Sequence, residues 1–258
     1  MPVLMYHRVG DIESAAEAKY CVTPQRFAAQ MRRLAAAGWR SVPIDALAAW
    51  LDGGPAPREG DFVLSFDDGF EGVLHHAAPV LEALGWPYTV FVVSGRIGRS
   101  DDWNHHDGSQ RRHRLLDAGQ LAELARRGCS LHSHTRSHAS LPGLDDARLM
   151  EELAGSRQDL QALLGAAPRY LAYPYGHHDE RVVAAARAAG YGAAFSVQPG
   201  FNRQDVDRYR VRRLDVFGTD TPAQLLRKLR LGSNDGRFGS AVAYYARRLG
   251  ERLIGARA

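Results

Sequence analysis

Two short groups of residues have the types and spacing needed to bind a metal ion and hydrolyse a bond. Asp67 and Asp68 stand side by side directly after the apolar run 62–66, and His134 and His138 lie four positions apart further along the chain. Two imidazoles and one carboxylate make a three-ligand site for a divalent ion, and catalytic zinc sites of this kind keep one position open for water. The remaining carboxylate is then free to act as a base, which completes the minimum for metal-assisted hydrolysis.

The expected division of labour is that Asp68 binds the metal with His134 and His138, while Asp67 takes a proton from water. Neighbouring residues on a strand point in opposite directions, so either the two carboxylates diverge or the chain turns between them. The two imidazoles can reach one ion if their segment forms a helical turn or a tight loop. Zinc is the first expectation, and cobalt, nickel or manganese could also fill a site of this composition.

Each motif alone has a simpler interpretation. Asp-Asp-Gly is more often a turn than a site, and His-x-x-x-His is usually a pair of surface residues. Their joint occurrence after strands of one α/β chain favours a metal site.

The elements that must position these residues alternate regularly. Short apolar runs, typical of buried strands, are separated by amphipathic helical patterns and glycine or proline turns. The runs lie at residues 3–7, 62–66, 88–93, 129–133, 170–173, 193–197 and 209–216. This alternation predicts an α/β fold, a distorted TIM-like (β/α) barrel with about seven strands.

Polar residues lie at the predicted carboxyl ends of these strands. Parallel barrels place their active sites on that rim, so residues distant in sequence converge there. The rim residues expected from the pattern are His7, Asp67, Asp68, His134, Tyr175, Arg213 and Asp215.

Composition places few further limits on function. The chain has 258 residues, 45% of them hydrophobic, which is enough for one large core, and the net charge of +4 does not imply nucleic acid. Its two cysteines imply no disulfide framework. The first residues show neither a basic region nor a long apolar run, and no window reaches a membrane-spanning length. We therefore expect a cytoplasmic protein without a signal peptide.

Three motifs resemble those of the NodB-like polysaccharide deacetylases, carbohydrate esterase family 4. The similarity covers roughly residues 1–217, the whole predicted barrel. The motifs are Ser-Phe-Asp-Asp-Gly at 65–69, Ser-His-Thr-Arg-Ser-His at 133–138 and Ala-Tyr-Pro-Tyr-Gly at 172–176. The opening Leu-Met-Tyr-His-Arg-Val at 4–9 is similar to the branch that deacetylates poly-N-acetylglucosamine-type exopolysaccharides.

The resemblance implies roles for individual residues. In this family the first aspartate of the first motif is the base and the second binds metal, which matches Asp67 and Asp68. Both histidines of the second motif bind metal. The backbone N–H of Tyr175 is implied to stabilise the oxyanion, and the rings of Tyr173 and Tyr175 could stack on a sugar.

Two positions depart from the family pattern. An arginine usually lies two residues before the Pro-Tyr of the third motif, where this chain has Ala172; Arg213 or Arg210 could supply the charge that orients the base. The usual late Leu-x-His, whose histidine protonates the leaving amine, is missing, since the last histidine is His178. In the branch that begins with Tyr-His, His7 resembles a relocated acid.

The implied activity is metal-dependent removal of N-acetyl groups from an N-acetylated sugar polymer, oligosaccharide or sugar precursor, in exopolysaccharide biosynthesis. Two alternatives stay open at this point. One is hydrolysis of a non-sugar amide or imide bond on the same fold. The other is a catalytically silent carbohydrate-binding protein, which the missing arginine favours mildly and the retained Asp67 disfavours.

The pattern divides the chain into a barrel at 1–218 and a basic, amphipathic helical extension at 219–258. Leu225, Leu226 and Leu229 form an apolar stripe there. The simpler interpretation is one or two helices packed on the barrel with a solvated basic face. The sharper one is peripheral contact with anionic lipid. The sequence leaves the oligomeric state open.

Overall fold

The computed structural model describes residues 1–15, 17–103, 112–237 and 239. Its main feature is a curled parallel sheet with helices on the outside. The strands are β1 (Val3–Tyr6), β2 (Arg8–Val9), β3 (Cys21–Val22), β4 (Arg40–Ser41), β5 (Asp61–Phe66), β6 (Thr89–Val92), β7 (Ser130–Ser133), β8 (Tyr170–Ala172), β9 (Ala193–Phe195) and β10 (Leu214–Asp215). The helices are α1 (Pro24–Ala36), α2 (Ile44–Leu51), α3 (Ala78–Ala83), α4 (Ala118–Arg126), α5 (Asp146–Met150), α6 (Ser156–Leu164), α7 (Glu180–Ala188) and α8 (Pro222–Leu231).

The main sheet runs in the order β10-β1-β5-β6-β7-β8-β9, with β4 paired to β5 off this path. Its two edges approach each other through one segment, because Val211 bridges Phe195 of β9 and Leu214 pairs with Leu4 of β1. Every strand pair is parallel. The predicted distorted (β/α) barrel of about seven strands is thereby confirmed.

The last predicted strand is shorter than the sequence pattern indicates. Residues 209–216 form regular strand only at Leu214–Asp215. The physical reason is that this segment pairs first with β9 and then with β1, so it crosses the gap between two edges. A segment that changes partners cannot keep one continuous ladder.

Alternation along the strands separates two apolar layers. Leu4, Leu64 and Val90 pack in a cluster with helix residues such as Phe27 and Met31 of α1. The residues before or after them in the strands form a second cluster, which fills the barrel interior: Val3, Val63 and Phe91, joined by Phe195 and Val211. Both faces of the central strands are therefore buried, which explains why these strands read as largely apolar runs.

Helix α8 begins after the predicted boundary at 218, yet its apolar face belongs to the barrel. Leu225, Leu226 and Leu229 lie in the same cluster as α1. This part of the predicted extension is therefore packed on the barrel, while residues 238 and 240–258 lie outside the described residues. Among the helices that the structure describes, none combines the length and apolar character needed to cross a membrane.

Candidate active site

A cavity of about 600 Å³ opens at the carboxyl ends of the barrel strands. Parallel strands bring their ends to one rim, so side chains far apart in sequence share this space. Those that were expected from sequence and that line the cavity are His7, Asp67, Asp68, His134, His138, Tyr173, Tyr175 and Asp215. Arg213 is buried behind them.

The predicted metal ligands converge in this cavity. The Oδ1 atom of Asp68 lies 3.3 Å from Nε2 of His138 and 3.5 Å from Nε2 of His134. One ligand atom from each of the three residues lies within 4.8 Å of the others, and all three side chains are buried. No other group of this kind occurs among the residues that the structure describes.

The hydrogen bonds of His134 prepare its Nε2 atom to bind a cation. Its Nδ1 atom lies 2.8 Å from the carbonyl oxygen of Ala172, an acceptor that requires the proton on Nδ1. Burial lowers the pKa of His134 to about 4, so the ring is neutral near pH 7. The lone pair on Nε2 therefore faces Asp68, as in metal sites where an outer partner fixes the ring tautomer.

Asp68 itself shows that this donor set suits a cation. Its buried Oδ1 atom has no hydrogen-bond partner within the described part of the chain, although two ring nitrogens lie close to it. The lone pair on Nε2 of His134 and the Asp68 oxygen converge at 3.5 Å without a proton between them, so they repel unless a positive ion separates them. Two imidazoles and a carboxylate fit a divalent ion such as zinc.

Backbone turns explain how these residues meet. Four non-glycine residues of the described chain have positive φ, and all four belong to the three motifs that supply cavity residues: Asp68 (71°), Thr135 (64°), His138 (65°) and Tyr175 (58°). The turn at Asp68 lets both adjacent carboxylates face the cavity, and those at Thr135 and His138 make a tight loop. Such conformations cost about 1–3 kcal/mol each and cluster at functional sites.

Asp67 is held by an arginine from the other end of the chain. Arg213 donates from Nη1 to Oδ1 at 2.6 Å and from Nη2 to Oδ2 at 2.8 Å, and its Nε donates to the carbonyl of Ser196. Burial acts to raise the pKa of Asp67, but Arg213 and His134 outweigh it, so the pKa is lowered. Arg210, the other candidate, pairs with Glu180 at the surface instead.

His7 directly follows β1, is half-buried, and has its ring centre 5.0 Å from that of Tyr20. Asp215 lines the same cavity, accepts a hydrogen bond from Asn234 at 2.6 Å, and has its pKa raised by burial.

Tyr20 also lines the cavity, and the sequence pattern did not indicate it. It reaches the cavity because β2 and β3 pair, and two-residue strands leave no periodic signal.

The two tyrosines of the third motif differ in exposure. Tyr175 is 38% exposed, and its ring centre lies 4.6 Å from that of His138. Tyr173 is fully buried, donates its hydroxyl to the carbonyl of Tyr209, and stacks on His178. The ring of Tyr173 has no open face for a sugar, because it packs in a cluster with Tyr191 and Tyr209 and because His178 stacks on it.

A second aromatic face comes from Trp103, whose ring stacks on His138 at 4.5 Å with an interplanar angle of 17°. Tyr175 contacts the same imidazole edge-on. These two rings flank a metal-ligand candidate at the mouth of the cavity, where stacking surfaces could contact a ligand.

The fold and site define a (β/α)-barrel protein with a buried Asp-His-His centre and an arginine-bound carboxylate beside it. A sequence model of the polysaccharide deacetylase family matches residues 55–194. The chain belongs to that family, which confirms the resemblance found in its motifs.

Individual relatives agree with this assignment. The chain is 28% identical over 216 residues to YxkH of Bacillus subtilis, covering 84% of this chain and 71% of that protein. It is 28% identical over 213 residues to the poly-beta-1,6-N-acetyl-D-glucosamine N-deacetylase of Staphylococcus epidermidis, covering 78% and 71%. The solved structure of IcaB from Ammonifex degensii superposes with a TM-score of 0.74 at 27% identity, covering 90% of this chain and 96% of that one.

Proposed function

We propose that this protein is a metal-dependent N-deacetylase of a poly-N-acetylglucosamine-type polymer. The observation that carries the proposal is the convergence of Asp68, His134 and His138 beside Asp67 in one buried cluster. A carbohydrate-binding protein without activity has no need for a carboxylate placed and ionised as Asp67 is. Family membership supports deacetylation of a polysaccharide, and the staphylococcal relative supports the choice of polymer.

The three ligands would hold one divalent ion, most simply zinc. When bound, such an ion lowers the pKa of water and polarises a carbonyl. Asp67 lies next to the ligand set, with Oδ2 3.9 Å from Nε2 of His134. Its ionised carboxylate takes the proton from the attacking water, and Arg213 keeps that carboxylate oriented and charged.

The other steps use groups around the cavity. The backbone N–H of Tyr175 stabilises the negative charge that develops on the acetyl oxygen. His7, in its protonated form, donates a proton to the departing amine, because an amide nitrogen is a poor leaving group until it is protonated. The products are acetate and a free amino sugar.

The cavity lining suits a sugar chain. Tyr20, Trp103 and Tyr175 border it and offer aromatic faces beside polar groups, the combination expected of a carbohydrate site.

Acetate release from N-acetylated β-1,6-glucosamine oligosaccharides tests this function. We expect acetate from the zinc-loaded protein, its loss after chelation, and its return when zinc is added back. Asp67→Asn should remove nearly all activity, whereas Asp205→Asn, at an exposed aspartate, should remove none. Acetate release that persists both in chelator and in Asp67→Asn would refute the proposal.

A further inference from the structure

Glu152 is a buried carboxylate that binds the backbone of the histidine loop rather than any ligand atom. Its Oε2 accepts hydrogen bonds from the N–H groups of Arg136 at 3.0 Å and Ser137 at 2.8 Å. Its Oε1 accepts the hydroxyl of Ser137 at 2.5 Å. All three donors lie between His134 and His138, so one side chain holds the middle of the loop that carries both imidazoles.

This loop needs hydrogen bonds from outside the loop because its own backbone conformation is strained. Thr135 and His138 both have positive φ, and neither is glycine. On the carbonyl side, the oxygens of Thr135 and Arg136 accept hydrogen bonds from residues 94 and 95. On the amide side, Glu152 provides the acceptors for the two consecutive N–H groups.

The helix that carries Glu152 is shaped for this contact. Residues Glu151–Gly155 form a π-turn between α5 and α6, a feature that often marks functional positions. Gly155 lies on the same turn, and a Cβ added there would lie 3.4 Å from Nη1 of Arg136. Ser156, just beyond, lies 2.6 Å from the hydroxyl of Ser133, which accepts the N–H of Thr135 at 3.1 Å. Both halves of the loop are thus held by one stretch of helix.

We propose that Glu152 is a positioning residue that sets the metal affinity of the site by holding His134 and His138 at one spacing. The inference rests on the proposed metal-dependent function. Without the carboxylate, two partly buried N–H groups lose their acceptors, and the loop is free to leave the strained geometry that aims both imidazoles at Asp68.

Three variants separate this role from general stability. Glu152→Leu keeps the approximate size and removes both acceptors. Glu152→Gln is the conservative rescue, because its amide oxygen can accept both N–H groups while its NH₂ donates to the hydroxyl of Ser137. Glu151→Leu is the matched control, since Glu151 is the adjacent residue, is 60% exposed and forms a surface ion pair with the Arg136 side chain.

The measurement is zinc affinity of the metal-free protein by competition titration, with the visible spectrum of the cobalt-loaded protein as a report on ligand geometry. We expect Glu152→Leu to bind zinc at least about tenfold more weakly and to show an altered cobalt spectrum. Glu152→Gln should stay within about threefold of the wild type, and Glu151→Leu should be unchanged. This readout is independent of substrate and of turnover.

Equal zinc affinity and an unchanged cobalt spectrum in folded Glu152→Leu would overturn the inference while leaving the proposed function intact. If circular dichroism shows that Glu152→Leu does not fold, Ser137→Ala decides, because it removes one of the three hydrogen bonds; weaker zinc binding supports the role and unchanged binding overturns it. A wild-type protein that binds no zinc overturns the proposed function first, and the role of Glu152 with it.

Discussion

Arg213 binds both carboxylate oxygens of Asp67 although the two residues are 146 positions apart in the chain. The arginine comes from the segment that joins the two edges of the sheet, whereas the family motif usually supplies it at the position occupied here by Ala172. The two side chains are almost fully buried, at 0% and 3% exposure. A bidentate pair of this kind fixes both the orientation and the charge of the carboxylate.

The pH dependence of activity should therefore respond to Arg213. Burial raises the pKa of Asp67, and Arg213 acts with His134 and His7 to lower it overall, so loss of the guanidinium raises the pKa. A base works only when deprotonated, so the acidic limb of the kcat/KM profile should move to higher pH. We expect the largest move in Arg213→Met and a smaller one in Arg213→Lys, which keeps the charge and loses the bidentate geometry.

The matched control is Arg210→Met, because Arg210 pairs with the exposed Glu180. Its acidic limb should coincide with that of the wild type. An acidic limb that stays in place in folded Arg213→Met would show that Asp67 is not the base, or that Arg213 does not set its pKa.

The contribution of His7 to the reaction rate should be larger for a poor leaving group than for a good one. If it protonates the departing amine, His7→Ala should lower kcat on N-acetylated oligosaccharides by about 10²–10⁴-fold. Hydrolysis of 4-nitrophenyl acetate, whose phenolate leaves without a proton, should fall by less than about tenfold. Paired kinetics on the two substrates make the comparison.

His76→Ala serves as the control, since His76 is exposed and outside the main cavity. It should leave both rates unchanged. An equal loss on amide and ester in His7→Ala would rule out the role of general acid and indicate a role in binding or structure.

The stability of the protein should depend on Lys228, a buried lysine of α8 that contacts β10. Lys228 is 1% exposed, and its Nζ donates to the carboxylate of Asp220 at 2.5 Å and to the carbonyl of Asp215 at 3.0 Å. Lys228→Met leaves the carboxylate buried without its cation, so we expect a loss of about 3–5 kcal/mol in the free energy of unfolding, measured with urea.

Arg230→Met, on the same helix but exposed, should change that free energy by less than about 0.5 kcal/mol. The double variant Lys228→Met/Asp220→Asn should recover part of the loss, because the uncompensated charge is gone. Unfolding curves of Lys228→Met and Arg230→Met that coincide would contradict this account of the α8 contact.

Much of the fold could be predicted because each central strand is buried on both faces. All six residues of β5 are buried, and after Asp61 the strand reads as an apolar run interrupted only by Ser65. Strands β2 and β3 could not be recognised, since two residues carry no period and their pairing depends on the folded barrel. The same holds for segment 209–216, whose partner changes along its length.

The site could be predicted where its functional residues are close together in the sequence. The Asp-Asp and His-x-x-x-His pairs can be recognised from a few neighbouring residues. They are expected to meet because parallel barrel strands bring their carboxyl ends to one rim. Tyr20 and Glu152 have no such signal, because their roles depend on loops and on a π-turn that only tertiary packing defines. Packing against Tyr191, Tyr209 and His178 also covers Tyr173, which its sequence position alone does not show. Contact of the basic segment 219–258 with anionic lipid stays a prediction.

The central claim is that Asp68, His134 and His138 bind one ion. Anomalous diffraction at the zinc edge from crystals soaked in zinc measures this directly. We predict a single strong peak bonded to the Asp68 carboxylate and to both imidazoles at about 2.0–2.2 Å, with Asp67 facing its open side. Zinc bound elsewhere on the protein, with no peak among these three side chains, would contradict the account.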